Sequence, residues 1–444
     1  MPKTINNNQE HMKNWQDQKF GMFIHWGLFS QPGIGCWSMF CSAMDIDEYA
    51  KRANDWNPVK FNADEWVQIA KDAGMKYMVL TAKHHDGFSL WDSKYCLNDH
   101  TSMNSPAKKD FIKEFTDACH KGGMLTGLYY SPLDWRFPGF FFPKMYKRNG
   151  DALREQAHKQ LEELTTNYGR VDLMWYDGGE DFWLGHGFQM HKWGRPADYR
   201  TNPQVKDFWH MDELDRMVRT NQPGIICNNR IADKTYGDYF APEKIIGEFN
   251  IDEPWETCDT MTNTWEHNPG SKIRSFRNCI QLLSKVVCNG GNLLLNIGPK
   301  PDGSFEENEI ARLKEIGKWL EKYGECIYGT RGGPIKVDQR GGTTNKDNVM
   351  YFHVHDWSDD EIYIPAIGNP EITCLNGFEV TTKKVGDYIS ISIPFENRQE
   401  VCTIIKCTYA EKVTDVYGGV VDYDDICAKT VYKDDSIIVE QLKD

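Results

Sequence analysis

Between residues 19 and 299 the chain alternates short apolar runs with longer amphipathic segments, a rhythm that confines it to strand and helix units around a parallel sheet. The runs are KFGMFIHWG (19–27), KYMVLTAKH (76–84), MLTGLYYS (124–131), VDLMWYDGG (171–179), IICNNR (225–230), KIIGEFN (244–250) and NLLLNIGP (292–299). Most are apolar nearly throughout, as strands covered on both faces must be. Between them lie helical patterns such as ADEWVQIAKDAG, SPAKKDFIKEFTDACHKGG with Pro106 just inside its start, and DALREQAHKQLEELTTNYG, several closed by glycine. Ser304 and Glu307 have the spacing of a capping box opening a helix that runs to about Tyr323. Seven or eight strands with intervening helices favour a closed (β/α)8-type barrel over an open doubly wound sheet. The absence of GxGxxG after the first strand removes support for dinucleotide binding.

Beyond RGGP at 331–334 the texture changes to short strand-like runs separated by Asp, Asn and Gly turns, which reads as a small antiparallel β-sandwich. The expected organisation is therefore α/β, with a barrel over 1–333 and a C-terminal sandwich over 334–444.

Charge narrows the partners. With 51 Lys and Arg against 65 Asp and Glu, the formal charge of -14 works against nucleic acid and anionic membrane surfaces. No apolar run approaches the roughly 18–20 residues of a membrane span. Thirteen cysteines without any CxxC suggest neither a zinc cage nor a disulfide framework. A reducing compartment fits them. The N-terminal residues lack the pattern of a signal peptide, so the expectation is a cytoplasmic protein, or a periplasmic or secreted one if a leader has been removed. The fifteen tryptophans suit sugar stacking and an ordinary core equally well.

In a (β/α)8 barrel the active site is built at the C-terminal ends of the strands. Here those ends carry His25-Trp26, His84-His85-Asp86, Tyr129-Tyr130, Trp175-Tyr176-Asp177 and Asn229-Arg230. Asp177 is a carboxylate delivered by an apolar strand, followed by two glycines that let the chain turn away. Trp175, two residues earlier, points the same way and offers a face for a ring. A pair of carboxylates is the minimum equipment for cleaving a glycosidic bond. Glu243, Glu248, Glu253 and Glu256 are the candidates for the second, and spacing alone does not choose among them. Neighbouring His84 and His85 on an extended strand point to opposite faces, so they favour hydrogen bonding to hydroxyls over chelation, and no metal is expected. Arg230, ending an apolar strand, must meet an acid or a ligand, and beside Asp177 it would keep that carboxylate ionised.

At these residues the sequence resembles the α-L-fucosidases of glycoside hydrolase family 29. The resembling stretches run in order through WQDQKFGMFIHWGLFS, KYMVLTAKHHDGFSLWDS, GLYYSPLDW, VDLMWYDGG, CNNR, APEKIIGEF, PWETC and GGNLLLNIGPKPDG, over about residues 10–333. The resemblance implies a retaining hydrolase that releases α-L-fucose from fucosylated glycans without a cofactor. Its nucleophile is the Asp closing the fourth strand, here Asp177, and its acid/base falls in the segment aligned with APEK, here Glu243, with Glu256 in reserve. His25, Trp37, His84, His85, Tyr130, Trp175 and Arg230, together with Glu256, are the residues expected around the sugar.

One departure stands out. Family members commonly carry a Glu-Trp pair in the loop after the first strand, whereas this chain has Cys36-Trp37. A thiol does not accept hydrogen bonds as a carboxylate does, which admits a galactose-like sugar as an alternative substrate. The same residues also fit a non-catalytic glycan-binding protein and, more distantly, a metal-dependent amidohydrolase. Two aromatic-rich loops, 135–150 and 180–200, are expected to form the wall that meets the rest of the glycan.

Overall fold

A computed structural model describes residues 9–31, 35–42, 44–180, 207–232, 235–357 and 360–430. The chain divides into two compact units. The first comprises 1–244, 258–273 and 294–317, the second 245–257, 274–293 and 318–444.

The strands at the heart of the fold are β1 (Phe20–Ile24), β2 (Tyr77–Lys83), β3 (Leu125–Tyr130), β4 (Leu173–Tyr176), β5 (Ile226–Cys227), β6 (Glu256–Thr260) and β7 (Asn292–Ile297). They form one seven-stranded sheet in the order β5-β4-β3-β2-β1-β7-β6, and the pairs from β1 through β5 are parallel. This is the cyclic order of a barrel with a seam between β5 and β6. The strands are buried on both faces, which accounts for their unbroken apolar sequences.

The seam is filled by residues 237–244. Asp238 donates its backbone N–H to Cys227 O (2.7 Å) and Asn229 to Tyr239 O (3.1 Å), while Lys244 donates to Cys258 O (2.8 Å) and Cys258 to Pro242 O (3.2 Å). The segment thus pairs with β5 on one side and with Cys258 of β6 on the other, serving as an eighth stave.

The expected strand at 244–250 is corrected here. Lys244 takes a positive φ of 55° and Ile245 is 66% exposed, so the apolar run does not extend into the sheet. The sixth strand is Glu256–Thr260, whose mixed polar sequence ETCDT gives no period to read. Two helix starts also differ from expectation. The helix Phe111–Gly122 begins after Pro106, with Asp110 as N-cap accepting from Lys113 N at 2.8 Å. The helix Glu307–Tyr323 opens without the expected box, because the Ser304 hydroxyl donates to Asp302 Oδ1 at 2.7 Å.

In the second unit the C-terminal residues form antiparallel sheets. A five-stranded sheet runs Glu371–Cys374, Thr403–Thr408, Val349–Val354, Gly341–Lys346 and Arg331–Gly332, and a three-stranded one runs Ile362–Pro365, Tyr388–Ser392 and Thr381–Val385. Met350, Phe352, Ile364, Ile391, Ile405 and Cys407 share the core between them. This is the antiparallel arrangement the sequence predicts.

Candidate active site

The site is assembled from strand ends inside the first unit. A cavity of about 220 Å³ is lined by Phe23, His25, Trp37, His84, His85, Leu133, Trp175, Asp177, Gly178, Arg230, Glu243, Cys258 and Trp265. Eight of the expected residues are therefore brought together: His25, Trp37, His84, His85, Trp175, Asp177, Arg230 and Glu243.

Asp177 closes β4 and is 15% exposed. Gly178 follows with φ +72°, a conformation that favours glycine, and the Gly179 N–H donates to Arg230 O at 3.1 Å. That bond fixes the end of β5 beside the end of β4. Asn228 reinforces it, accepting from Tyr176 N and donating to Tyr176 O, both at 3.0 Å. On the other side the Asn229 side chain accepts from Ala241 N of the stave at 3.3 Å. The CNNR motif thus holds Arg230 between the strand that carries Asp177 and the segment that carries Glu243.

The Arg230 guanidinium bridges the two acids. Its Nη2 lies 2.7 Å from Asp177 Oδ1 and 3.2 Å from Glu243 Oε2, so those oxygens are no further apart than the sum of the two distances. Two carboxylates held this close are compatible with the about 5–5.5 Å spacing of a retaining site. The guanidinium also lies over the Trp175 ring, 5.1 Å from its centroid.

Three more groups act on Asp177. Tyr129 donates its hydroxyl to Oδ2 at 2.9 Å, and His85 Nε2 stands 3.5 Å from the same oxygen. Burial pushes the Asp177 carboxyl upward, but Arg230, His85 and His84 outweigh it and hold it well below the usual carboxylate range. Burial opposes the charge on Arg230 in turn, and Asp177, Cys258 and Glu243 more than restore it. His25 is buried, bonded through Nδ1 to Asn296 Oδ1 at 2.6 Å, and pushed down to about 4, chiefly by burial. It is neutral near pH 7. His84 is lowered further by the same burial and by its histidine neighbours, and its Nδ1 has no hydrogen-bond partner among the described residues.

Several expectations are corrected. His84 and His85 do not face opposite ways: the strand register shifts between Thr81 and Lys83, the chain then turns, and both rings enter the cavity with centroids 4.1 Å apart. With Asp177 their ligand atoms lie within 4.8 Å of one another. Asp177 is already neutralised by Arg230, however, and a dication there would sit against a guanidinium. Tyr130 is not a cavity residue. It is paired in register with Tyr176 and donates its hydroxyl to Gln160 Oε1 at 2.9 Å, whereas Tyr129, paired with Trp175, faces inward. Glu256 is fully buried within β6 and does not reach the cavity. Cys36 is buried and absent from the lining, although the adjacent Trp37 belongs to it. In the loop 135–150, Phe137, Phe140 and Phe141 are buried and do not line the cavity, whereas Trp135 packs against the lining residues Trp37 and His85. Glu180 is described, but the rest of the loop 180–200 lies outside the described residues.

Trp265 was not expected. Its ring lies 4.9 Å from that of His25, Lys244 Nζ stands 4.9 Å over it, and its carbonyl accepts from Asn296 Nδ2 at 2.6 Å. It sits in a loop after β6, the strand that the apolar pattern does not disclose. Tyr129 was within reach of sequence reasoning, since an inward Trp175 makes its parallel partner inward too.

Comparison with known proteins agrees with this geometry. The α-L-fucosidase family description matches residues 1–325. Human plasma α-L-fucosidase is 31% identical over 345 residues, 71% of this chain and 69% of its own length. An α-L-fucosidase of Dictyostelium discoideum is 28% identical over 89% of both chains. Among solved structures, α-L-fucosidase isoenzyme 1 from Paenibacillus thiaminolyticus superposes with a TM-score of 0.78 at 28% identity, covering 91% of this chain and all of that one. A family 29 α-L-fucosidase from Bacteroides thetaiotaomicron, trapped as a covalent intermediate with 2-fluoro-fucosyl fluoride, has a TM-score of 0.76 at 26% identity, covering 90% and 96%. On the family match, the curated relatives and the shared fold, the chain belongs to the α-L-fucosidase family, glycoside hydrolase family 29, and is a retaining glycosidase.

Proposed function

We propose that the cavity releases terminal α-L-fucose from fucosylated glycans by double displacement, with Asp177 as nucleophile and Glu243 as acid and base. The observation that carries this reading is the single guanidinium of Arg230 in contact with both carboxylates. Asp177, held ionised in a buried site by Arg230 and the Tyr129 hydroxyl, attacks the anomeric carbon. Glu243, 40% exposed on the open side of the cavity, gives its proton to the departing oxygen. Once Asp177 is esterified its negative charge is gone. Glu243 is then the one carboxylate left among the lining residues to take a proton from the attacking water. The neutral imidazoles of His25 and His84 each offer one donor and one acceptor to ring hydroxyls, and Trp37, Trp175 and Trp265 offer faces to the C–H side of the sugar.

Azide separates the two roles. With an aryl α-L-fucoside, Glu243→Ala accumulates the glycosyl-enzyme, which azide intercepts to give α-L-fucosyl azide. Asp177→Ala gives only the β-azide. Water-dependent turnover by Glu243→Ala on poor leaving groups at wild-type rate would remove Glu243 from its role.

A further inference from the structure

We infer that Ser131 is a positioning residue for the reaction: its hydroxyl donates to His85 Nδ1 and so holds the His85 imidazole as the tautomer whose Nε2–H faces the Asp177 carboxylate. The kinetic consequence rests on reading this cavity as the sugar site with Asp177 as nucleophile. Ser131 follows β3 and is fully buried behind the cavity lining. Its Oγ lies 2.7 Å from His85 Nδ1, and on the other edge of the ring Nε2 stands 3.5 Å from Asp177 Oδ2. One imidazole therefore links the serine to the carboxylate.

The end of β2 clamps the serine. Ser131 N donates to Lys83 O at 3.0 Å, and the buried Lys83 Nζ donates back to Ser131 O at 2.5 Å and to Leu133 O at 3.1 Å. His85, two residues beyond Lys83, is fixed through its own carbonyl, which accepts from Trp135 N at 2.9 Å. Gly178 leaves space for the ring, since a Cβ there would come 3.3 Å from His85 Cε1. With main chain and ring so placed, the variable left is the hydroxyl proton.

That proton has two acceptors in reach, His85 Nδ1 at 2.7 Å and Leu133 O at 3.2 Å. Leu133 O already takes Lys83 Nζ, whereas Nδ1 makes no other hydrogen bond among the described residues. Distance and need both send the proton to Nδ1. The neutral ring then carries its own proton on Nε2. The opposite arrangement would turn the Nε2 lone pair toward a carboxylate that Arg230 keeps ionised, and the two would repel. Asp177 thus faces one more N–H, beside the Tyr129 hydroxyl on the same oxygen, and the nucleophile is held in place for attack.

The test has two arms, both on the full chain. Long-range proton–nitrogen NMR spectra of isotopically labelled histidines near neutral pH, with His85 assigned by the signals missing from His85→Gln, are expected to show Nε2 protonated and Nδ1 bare. A protonated Nδ1 would overturn the role given to Ser131, whatever the cavity binds. With an aryl α-L-fucoside, Ser131→Ala is expected to lower kcat/KM about tenfold, chiefly in kcat, the loss of one buried hydrogen bond. In the His85→Gln background, where the side-chain amide offers an N–H without help from the serine, the same substitution should cost less than about twofold. Equal factors in both backgrounds, or no loss in the first, would refute the role. If His85→Gln has no measurable turnover, the spectra of Ser131→Ala decide: an Nδ1 signal unchanged from the parent enzyme refutes it. Failure of the unmutated enzyme to release fucose would sink the reading of the cavity instead, and the spectra then decide the part played by the serine.

Discussion

Tyr129 and Tyr130 are adjacent, equally buried, and opposite in consequence. Tyr129 donates to the Asp177 carboxylate at 2.9 Å, and Tyr130 donates to Gln160 at the same distance on the far side of the sheet. A hydrogen bond to a charged group contributes roughly 1.5–3 kcal/mol, so Tyr129→Phe should lower kcat/KM about 10- to 100-fold. Tyr130→Phe should leave kcat/KM within about threefold and cost on the order of 1 kcal/mol of stability. Steady-state kinetics and thermal melts of the two variants check this, and equal kinetic losses would contradict the facing assigned to the pair. Residues ending apolar strands were legible one at a time from the sequence: Asp177, Trp175, His25 and Arg230 all reach the cavity. Their partners were not, because an acid such as Glu243 is chosen by a cross-strand contact that no spacing along the chain encodes. Glu256 has a comparable setting in PWETC, but strand pairing buries it.

The stave at 237–244 decides where the second carboxylate sits. It is short and mixed in polarity, so its role as the missing barrel element follows from four backbone hydrogen bonds rather than from any hydrophobic period. Gly237 permits its approach, since a Cβ there would come 2.6 Å from Asn229 Cα. Backbone atoms do not yield as a flexible side chain would. Gly237→Ala should therefore push the stave off β5 and Glu243 away from Arg230, lowering kcat more than about tenfold and the melting temperature by several degrees. Wild-type kcat in that variant would show that the stave does not position the acid. At the same scale, six of the seven apolar runs became strands of the sheet. The failure at 244–250 is physical: the run is apolar, but a left-handed Lys244 and an exposed Ile245 take it out of the sheet. The paired histidines were misread for a related reason, since a register shift at the end of β2 breaks the alternation that sends neighbouring side chains to opposite faces.

Across the molecule, buried histidines set the response to acid. His25 is pushed down to about 4 and His100, His353 and His355 to about 3, in each case chiefly by burial. The folded state therefore refuses protons that the unfolded chain accepts below about 6.5. The stability these groups contribute is complete above that pH and is lost as pH falls from about 6.5 toward 4. Glu309, raised to about 7 by burial, has the opposite sign, because the folded state keeps a proton the unfolded chain has shed, and it offsets part of the loss. The free energy of unfolding should fall as pH is lowered from 7 to 5, by an amount on the order of a few kcal/mol in all, and the melting temperature with it. A flat or rising profile would contradict the burial of these imidazoles. The negative charge read from composition argued only against polyanionic partners, whereas the aromatic content acquired a location in Trp37, Trp175 and Trp265 around the cavity. The whole mechanism depends on Asp177 forming the covalent bond. Incubation of the Glu243→Ala enzyme with 2-fluoro-fucosyl fluoride, followed by proteolysis and peptide mass spectrometry, tests it most directly. The predicted result is a single fluorofucosyl adduct on the Asp177 side chain; an adduct on any other residue would contradict it.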